Sequence, residues 1–169
     1  MSIEISAIMI DTVITTKPKA TVEEAVKLMN RYEIGCLVVV ENGKPVGIIT
    51  ERDLLKRVLP KSEELRNMKV MEIMSKPLIS IEPKGQIEEA AKLMFQKKIK
   101  KLPIVEKGKL VGLVSLTDLL RVQPQLIKLY KIFSSDLAPR RMKKVFDYYL
   151  LLYTKFESPD VDSLANSLL

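Results

Sequence analysis

The sequence predicts an α/β protein of the α+β kind, in which two copies of a β-α-β-β-α unit pack with pseudo-two-fold symmetry and a helical extension follows. Residues 8–57 align with residues 73–122 without a gap, and segments such as Glu23-Glu24-Ala25 recur as Glu88-Glu89-Ala90. Such self-similarity indicates an internal duplication. Each copy, about 50 residues long, makes only a small core by itself. We therefore expect the two copies to pack face to face.

The first strand and first helix of the unit follow from local signals. Thr12–Thr16 is rich in β-branched residues and is followed by Pro18, which predicts a short strand. Thr21 and Glu24 have the spacing of a capping box, in which a threonine and a glutamate satisfy each other's backbone N–H groups. A helix is therefore expected to begin after Thr21.

The remaining elements are a hairpin and a second helix. Leu37–Val40 and Val46–Thr50 are apolar runs separated by Asn42-Gly43, a strong hairpin signal. The second helix is expected from Thr50 to about Leu59. The other copy differs mainly at the turn, where Lys107-Gly108 replaces Asn-Gly.

Four regions follow from this pattern: a first repeat (1–60), a charged linker (61–69), a second repeat (70–123) and a tail (124–169). Seven of the nine Phe and Tyr residues fall in the tail. Two helices are expected there, Pro124–Leu137 and a second from Pro139 to about residue 156. Because this much aromatic surface must be buried, we expect the tail to serve a homodimer interface or an effector protein. Packing on its own repeats is the alternative.

Composition excludes several classes of site. The chain has no histidine and one cysteine, Cys36, which excludes an N/S-ligand metal centre and removes the commonest general base. Cys36 lies among apolar residues and is expected to be a core residue. A single cysteine fits a reducing cytoplasm. No stretch approaches the roughly 20 apolar residues that a membrane span needs, so no membrane association is expected.

The net charge of +7 favours phosphate-bearing partners without naming one. The excess is spread along the chain, although Arg140-Arg141-Met142-Lys143-Lys144 gathers four basic residues in the tail. A DNA- or RNA-binding regulator that uses the basic surface and the C-terminal helices is therefore an alternative function. A solvated helix face explains the same cluster.

One motif ends the third strand of each copy, at Gly47–Asp53 and Gly112–Asp118. Both have a glycine, two aliphatic residues, a hydroxyl, two variable residues and an aspartate. The hydroxyl stands at a helix N-cap and the aspartate in the first turn, which is ordinary helix-start chemistry. The same geometry suits a nucleoside phosphate, because helix N-termini attract phosphate and a carboxylate accepts hydrogen bonds from ribose hydroxyls.

With these motifs and the repeat order, residues 1–123 resemble a tandem pair of CBS domains, named for cystathionine β-synthase, of the standalone type. The resemblance implies a regulatory module without catalysis that binds an adenosine nucleotide such as AMP, ADP or ATP between the repeats. Signalling would pass through repeat packing and the dimer interface. No other cofactor is implied.

The resemblance also implies which residues bind the ligand. Ribose and phosphate would contact Thr50 and Asp53 in one copy, and Ser115 and Asp118 in the other. The first strand and the segment before the second strand would hold the base. Those positions are Thr15, Ser80, and the backbones near Leu37 and Leu102.

The two copies differ where the phosphates are expected. The second copy has Lys97-Lys98-Ile99-Lys100-Lys101 where the first has Tyr32-Glu33-Ile34-Gly35-Cys36. The resemblance implies that Lys100 and Lys101 contact the phosphate tail; complementing a helix C-terminus is the alternative. Arg52 offsets this difference in part, because it adds a positive charge to the first copy where the second has Thr117. We expect two unequal sites, with the second copy better equipped for phosphates.

Overall fold

The structure is a computed structural model that describes residues 3–58, 67–123 and 126. After a 3-10 turn at Ile5–Ala7, the first copy contains β1 (Thr15–Thr16), α1 (Val22–Tyr32), β2 (Cys36–Glu41), β3 (Lys44–Thr50), α2 (Glu51–Asp53) and a π-helical turn (Leu54–Val58). The second contains α3 (Val70–Ile73), α4 (Ile87–Lys97), β4 (Lys101–Glu106), β5 (Lys109–Ser115) and α5 (Leu116–Val122). This mixed α+β architecture is the predicted fold class.

The strands form one hairpin in each copy. β2 pairs antiparallel with β3, and β1 adds parallel to β2. β4 pairs antiparallel with β5. Asn42 and Gly43 have φ values of 50° and 77°, and Lys107 and Gly108 have 48° and 78°. Left-handed residues at both positions match the twist of the flanking strands, so the predicted hairpins are confirmed.

The capping box of α1 is confirmed. The Glu24 N–H donates to Thr21 Oγ1 at 3.1 Å, and the Thr21 N–H donates to Glu24 Oε2 at 2.7 Å. At the start of α4, the Gln86 N–H donates to Glu89 Oε2 at 3.0 Å. Both helices end at a residue in the left-handed backbone conformation, Glu33 after α1 and Lys98 after α4.

Two elements differ from their predicted extent. The strand expected over Thr12–Thr16 contains only Thr15 and Thr16, because Ile10 is bridged to Leu113 of the other copy and the chain reaches β2 only afterwards. Its counterpart in the second copy is a single parallel bridge between Ile81 and Ile104. The second helix turns from α to π at Leu54–Val58, so it is not one regular helix.

The two copies exchange their first segments, which sequence reasoning missed. Ile5 lies fully buried in the core of the second copy, and its N–H donates to Gly85 O at 2.8 Å. Reciprocally, Val70 and Ile73 of α3 lie in the core of the first copy. Ser75 then exchanges two backbone hydrogen bonds with Ile48 of β3. The repeats are thus joined by reciprocal crossing as well as by packing.

The crossing explains the glycine of the strand-end motif. A Cβ on Gly47 would lie 2.8 Å from Met74 Sδ and 3.0 Å from the Ser75 carbonyl oxygen. A Cβ on Gly112 would lie 2.6 Å from Met9 Sδ. Only glycine lets the other copy's segment approach the strand this closely. The two copies also meet directly through β3 and β5.

The tail is described only at Leu126, which is buried in the second core at 2% exposure. The two helices predicted for the tail otherwise lie outside the described residues, as does the basic cluster at 140–144. The same holds for residues 59–60 at the end of the predicted first repeat and for residues 61–66 of the expected linker. Met68, near its end, is buried in the first core at 6% exposure.

Candidate functional site

A pocket of about 500 Å³ combines residues of both copies. Five of the predicted site residues line it: Thr50, Arg52, Asp53, Lys100 and Lys101. The other lining residues are Gly35, Ile48, Glu51, Lys56, Arg57, Ser75, Lys97, Lys98 and Ile99. The strand-end motif of the first copy therefore faces the lysine-rich segment of the second.

Thr50 and Asp53 are fixed to each other at the junction of β3 and α2. The Thr50 N–H and hydroxyl donate to Asp53 Oδ2 at 2.9 and 2.7 Å. The Asp53 N–H lies 3.4 Å from Thr50 Oγ1. Asp53 is only 8% exposed, and a buried polar group needs hydrogen-bond partners. The carboxylate is thus held in one orientation at the pocket wall.

The second oxygen of Asp53 contacts the segment that crosses from the other copy. The Ser75 hydroxyl donates to Oδ1 at 3.3 Å, and Arg57 Nη1 forms an ion pair with it at 3.5 Å. Arg57 Nη1 also donates to the carbonyl oxygens of Ile73 and Met74 at 2.5 and 3.1 Å. Asp53, Arg57 and Ser75 therefore link the pocket to the end of α3.

Sequence reasoning missed Arg57 and Ser75. In the repeat alignment Arg57 of the first copy corresponds to Val122, and Ser75 of the second copy corresponds to Ile10, so neither stands out. The exchange of first segments brings them together, and no local pattern indicates that exchange. Lys97 and Lys98 were visible as part of the lysine run, which was the available signal for this wall of the pocket.

The pocket lining is strongly basic. It has seven basic residues and two acidic ones, a formal charge of +5. Arg57 pairs with Asp53, whereas the other six form no ion pair with any carboxylate of the described residues. Burial, and then the nearby Arg52 guanidinium, lower the pKa of Lys100 below its ordinary value. The pocket thus offers unpaired positive charge to an anion.

The structure groups the lysines differently from the sequence interpretation. Lys100 and Lys101 were assigned with Ser115 and Asp118 because all four belong to the second copy. They line the pocket of Thr50 and Asp53 instead. The reason is that β3 and β5 meet at the contact between the copies, so each strand end faces the other repeat.

Ser115 and Asp118 repeat the local geometry outside this pocket. The Ser115 N–H and hydroxyl donate to Asp118 Oδ2 at 2.8 and 2.5 Å. In the repeat alignment, three exposed residues correspond to Ser75, Lys97 and Arg57 of the pocket. They are Ile10, Tyr32 and Val122, with 55%, 47% and 43% exposure. The equivalent positions thus carry an isoleucine, a tyrosine and a valine in place of a serine and two cations.

The residues expected around the base do not line the pocket. The side chains of Leu37 and Leu102 are fully buried in the two cores. Thr15 is exposed and pairs with Val38 in the sheet, and Ser80 precedes the bridge formed by Ile81. Their role in holding a base stays a prediction.

Cys36 is a core residue, as predicted. It is 5% exposed, and burial raises the pKa of its thiol despite the nearby Lys101 ammonium. Among residues 3–58, 67–123 and 126, no cluster of three potential Cys, Asp or Glu ligands could hold a metal ion. No helix in that part of the chain has the length and apolar character required to traverse a membrane.

Comparison with known proteins identifies the family. The model of the CBS domain family matches residues 5–60 and 70–124. A protein of Methanopyrus kandleri is 42% identical over 117 residues, which cover 68% of this chain and 60% of that protein. CBS domain-containing protein YhcV of Bacillus subtilis is 39% identical, covering 63% of this chain and 76% of YhcV. The chain therefore spans less than two thirds of the first relative and more of the second.

Solved structures share the fold. A conserved CBS domain protein of Thermoplasma acidophilum has a TM-score of 0.67 at 30% identity, over 72% of this chain and 69% of that one. The hexameric CBS-CP12 protein from bloom-forming cyanobacteria has a TM-score of 0.67 at 31% identity, over 76% and 75%. An inosine-5'-monophosphate dehydrogenase of Methanocaldococcus jannaschii is 38% identical, but the match covers 22% of that enzyme.

Proposed function

From the premise that this chain belongs to the CBS domain family, we propose that it is a regulatory module that binds an adenosine nucleotide between its repeats. One observation carries this proposal. A hydroxyl and a buried carboxylate, Thr50 and Asp53, lie in the same pocket as six cations that form no ion pair with a carboxylate of the described residues. The volume of about 500 Å³ lies within the range of small-molecule sites.

The chemistry of the two parts of the lining favours a nucleoside phosphate over a bare anion. Asp53 repels phosphate, but its carboxylate accepts hydrogen bonds from ribose hydroxyls. The lysine and arginine side chains bind the phosphates of the same ligand. A molecule with hydroxyls at one end and phosphates at the other satisfies both parts, whereas inorganic phosphate satisfies only one.

The contacts of Asp53 suggest how binding is transmitted. Oδ2 is occupied by two donors of Thr50, so a ribose hydroxyl competes for Oδ1, where the Ser75 hydroxyl lies at a longer 3.3 Å. Ser75 and Arg57 hold the end of α3 against the first repeat. Occupancy of the pocket therefore alters the packing between repeats, which is the regulatory signal in this proposal.

Homodimerisation, an effector protein and a cytoplasmic location belong to the same proposal. The hexameric CBS-CP12 relative supports assembly of the chain, and the tail is the expected contact region. Catalysis is not proposed, since the match to the dehydrogenase covers only 22% of that enzyme. The nucleic-acid alternative uses the basic surface and the C-terminal helices, and residues 140–144 of that tail lie outside the described residues.

Calorimetric titration with AMP, ADP and ATP tests the proposal. We expect the wild-type protein to bind at least one of them. Asp53→Ala should weaken binding at the basic pocket by about tenfold or more, the value of a hydrogen bond to a charged group. Asp118→Ala is the matched control, because it removes the same capping bonds outside that pocket.

Absence of binding to all three nucleotides would contradict the proposal, as would equal losses in the two variants. Thermal unfolding of both variants serves as the folding control. Titration with an oligonucleotide covers the alternative: binding to it alone would favour the nucleic-acid regulator.

A further inference from the structure

The basic lining of the pocket comes from both repeats. Arg52 and Lys56 belong to the first copy, whereas Lys97, Lys98, Lys100 and Lys101 belong to the second. These six side chains have no ion-pair partner among the described carboxylates. Like charges from two repeats thus face one another across a single cleft, which is unfavourable until an anion lies between them.

Lys100 and Arg52 are the pair that most directly shows this arrangement. Lys100 is half-buried, and the Arg52 guanidinium is close enough to disfavour its charged form. Their counterparts in the repeat alignment are Gly35 and Thr117, which carry no charge. The arrangement is therefore specific to one cleft and does not follow from the duplicated fold.

We infer that this cleft selects nucleoside di- and triphosphates over monophosphates, with Arg52 and Lys100 as the specificity-determining residues. This inference rests on the proposed function and deepens it. The two residues contact the additional phosphates from opposite repeats. The β- and γ-phosphates join the copies electrostatically, whereas a nucleoside monophosphate leaves part of the basic wall uncompensated.

The charges explain the selection. A phosphate monoester carries about −1.5 to −2 at neutral pH, which compensates less than half of the formal +5 of the lining. Each further phosphate adds negative charge and further acceptor oxygens for charge-assisted hydrogen bonds. A ligand with more phosphates thus relieves more of the repulsion between the two repeats.

Isothermal titration with adenosine, AMP, ADP, ATP and inorganic tripolyphosphate tests the inference. We expect the affinity to rise from adenosine to ATP. Each of Arg52→Gln and Lys100→Gln should reduce the ratio of ATP to AMP affinity by about tenfold, the effect of one charge-assisted contact. Lys109→Gln, an exposed lysine of β5 outside the pocket, should leave the ratio unchanged.

The outcomes separate the inference from the proposed function. Equal affinities for AMP and ATP in the wild-type protein would overturn the inference while leaving nucleotide binding intact. An unchanged ratio in both Gln variants would also overturn it. Binding of tripolyphosphate without any binding of the adenosine ligands would contradict the nucleotide proposal and, with it, the inferred selection among nucleotides.

Discussion

Lys100 lies in an environment unlike that of an ordinary surface lysine. It is half-buried and faces Arg52, with Lys56, Lys97, Lys98, Lys101 and Glu51 also lining the same pocket. Burial and Arg52 lower the pKa of Lys100 in the folded protein. Keeping Lys100 charged therefore costs folding free energy, and a bound anion offsets that cost.

This cost predicts a pH dependence of stability. Since the pKa of Lys100 is lower in the folded than in the unfolded state, the unfolded state binds more protons between that pKa and the ordinary value of 10.5. The contribution of Lys100 to the free energy of unfolding should then increase as the pH rises through this window. Lys100→Gln should remove the increase and stabilise the protein at neutral pH.

Urea unfolding of both proteins at a series of pH values measures the difference. Lys109→Gln serves as the control, because Lys109 is exposed and outside the pocket. Parallel stability curves for wild type and Lys100→Gln would contradict the assigned environment. Lys100→Gln should thus lower ligand affinity while raising stability, a combination that is typical of a binding site.

At the scale of elements, α3 is held to the first repeat by Arg57. The guanidinium donates to the carbonyl oxygens of Ile73 and Met74 at the end of this short helix. The side chain of Arg57 is 46% exposed, so solvent reduces the value of these contacts. Arg57→Met should lower the free energy of unfolding by about 1 kcal/mol.

Hydrogen exchange locates the effect of Arg57→Met. The Met74 N–H donates to Val70 O and the Ser75 N–H to Ile48 O, both at 2.8 Å. Both amides should exchange faster in the variant. Lys56→Met, which alters a neighbouring exposed lysine, should leave them unchanged. If the two variants exchange alike, Arg57 does not fix the end of α3.

Local signals predicted the elements whose causes are local. The Thr21–Glu24 capping box and the Asn42-Gly43 turn follow from residue chemistry within four positions, and both are confirmed. The first strand was predicted too long because Ile10 pairs with Leu113 of the other copy. A contact across the molecule, absent from any local pattern, decides where that strand begins.

At the scale of the whole molecule, the sequence showed the duplication but not which residues of the two copies lie together. An alignment of two copies shows which residues are equivalent, not which copy each residue faces. Thr50 and Asp53 were therefore assigned to one site and Lys100 to the other, although all three line one pocket. The pseudo-two-fold arrangement brings each strand end to the other repeat, and the asymmetry of sequence then makes one cleft basic.

In the proposed complex a nucleotide lies between the two repeats, with its ribose at Asp53 and its phosphates between Arg52 and Lys100. A crystal structure of the protein grown with ATP tests this most directly. We expect the ribose hydroxyls within hydrogen-bond distance of Asp53, and the β- and γ-phosphates in contact with both basic residues. A nucleotide bound only beside Asp118, or outside both clefts, would contradict the claim.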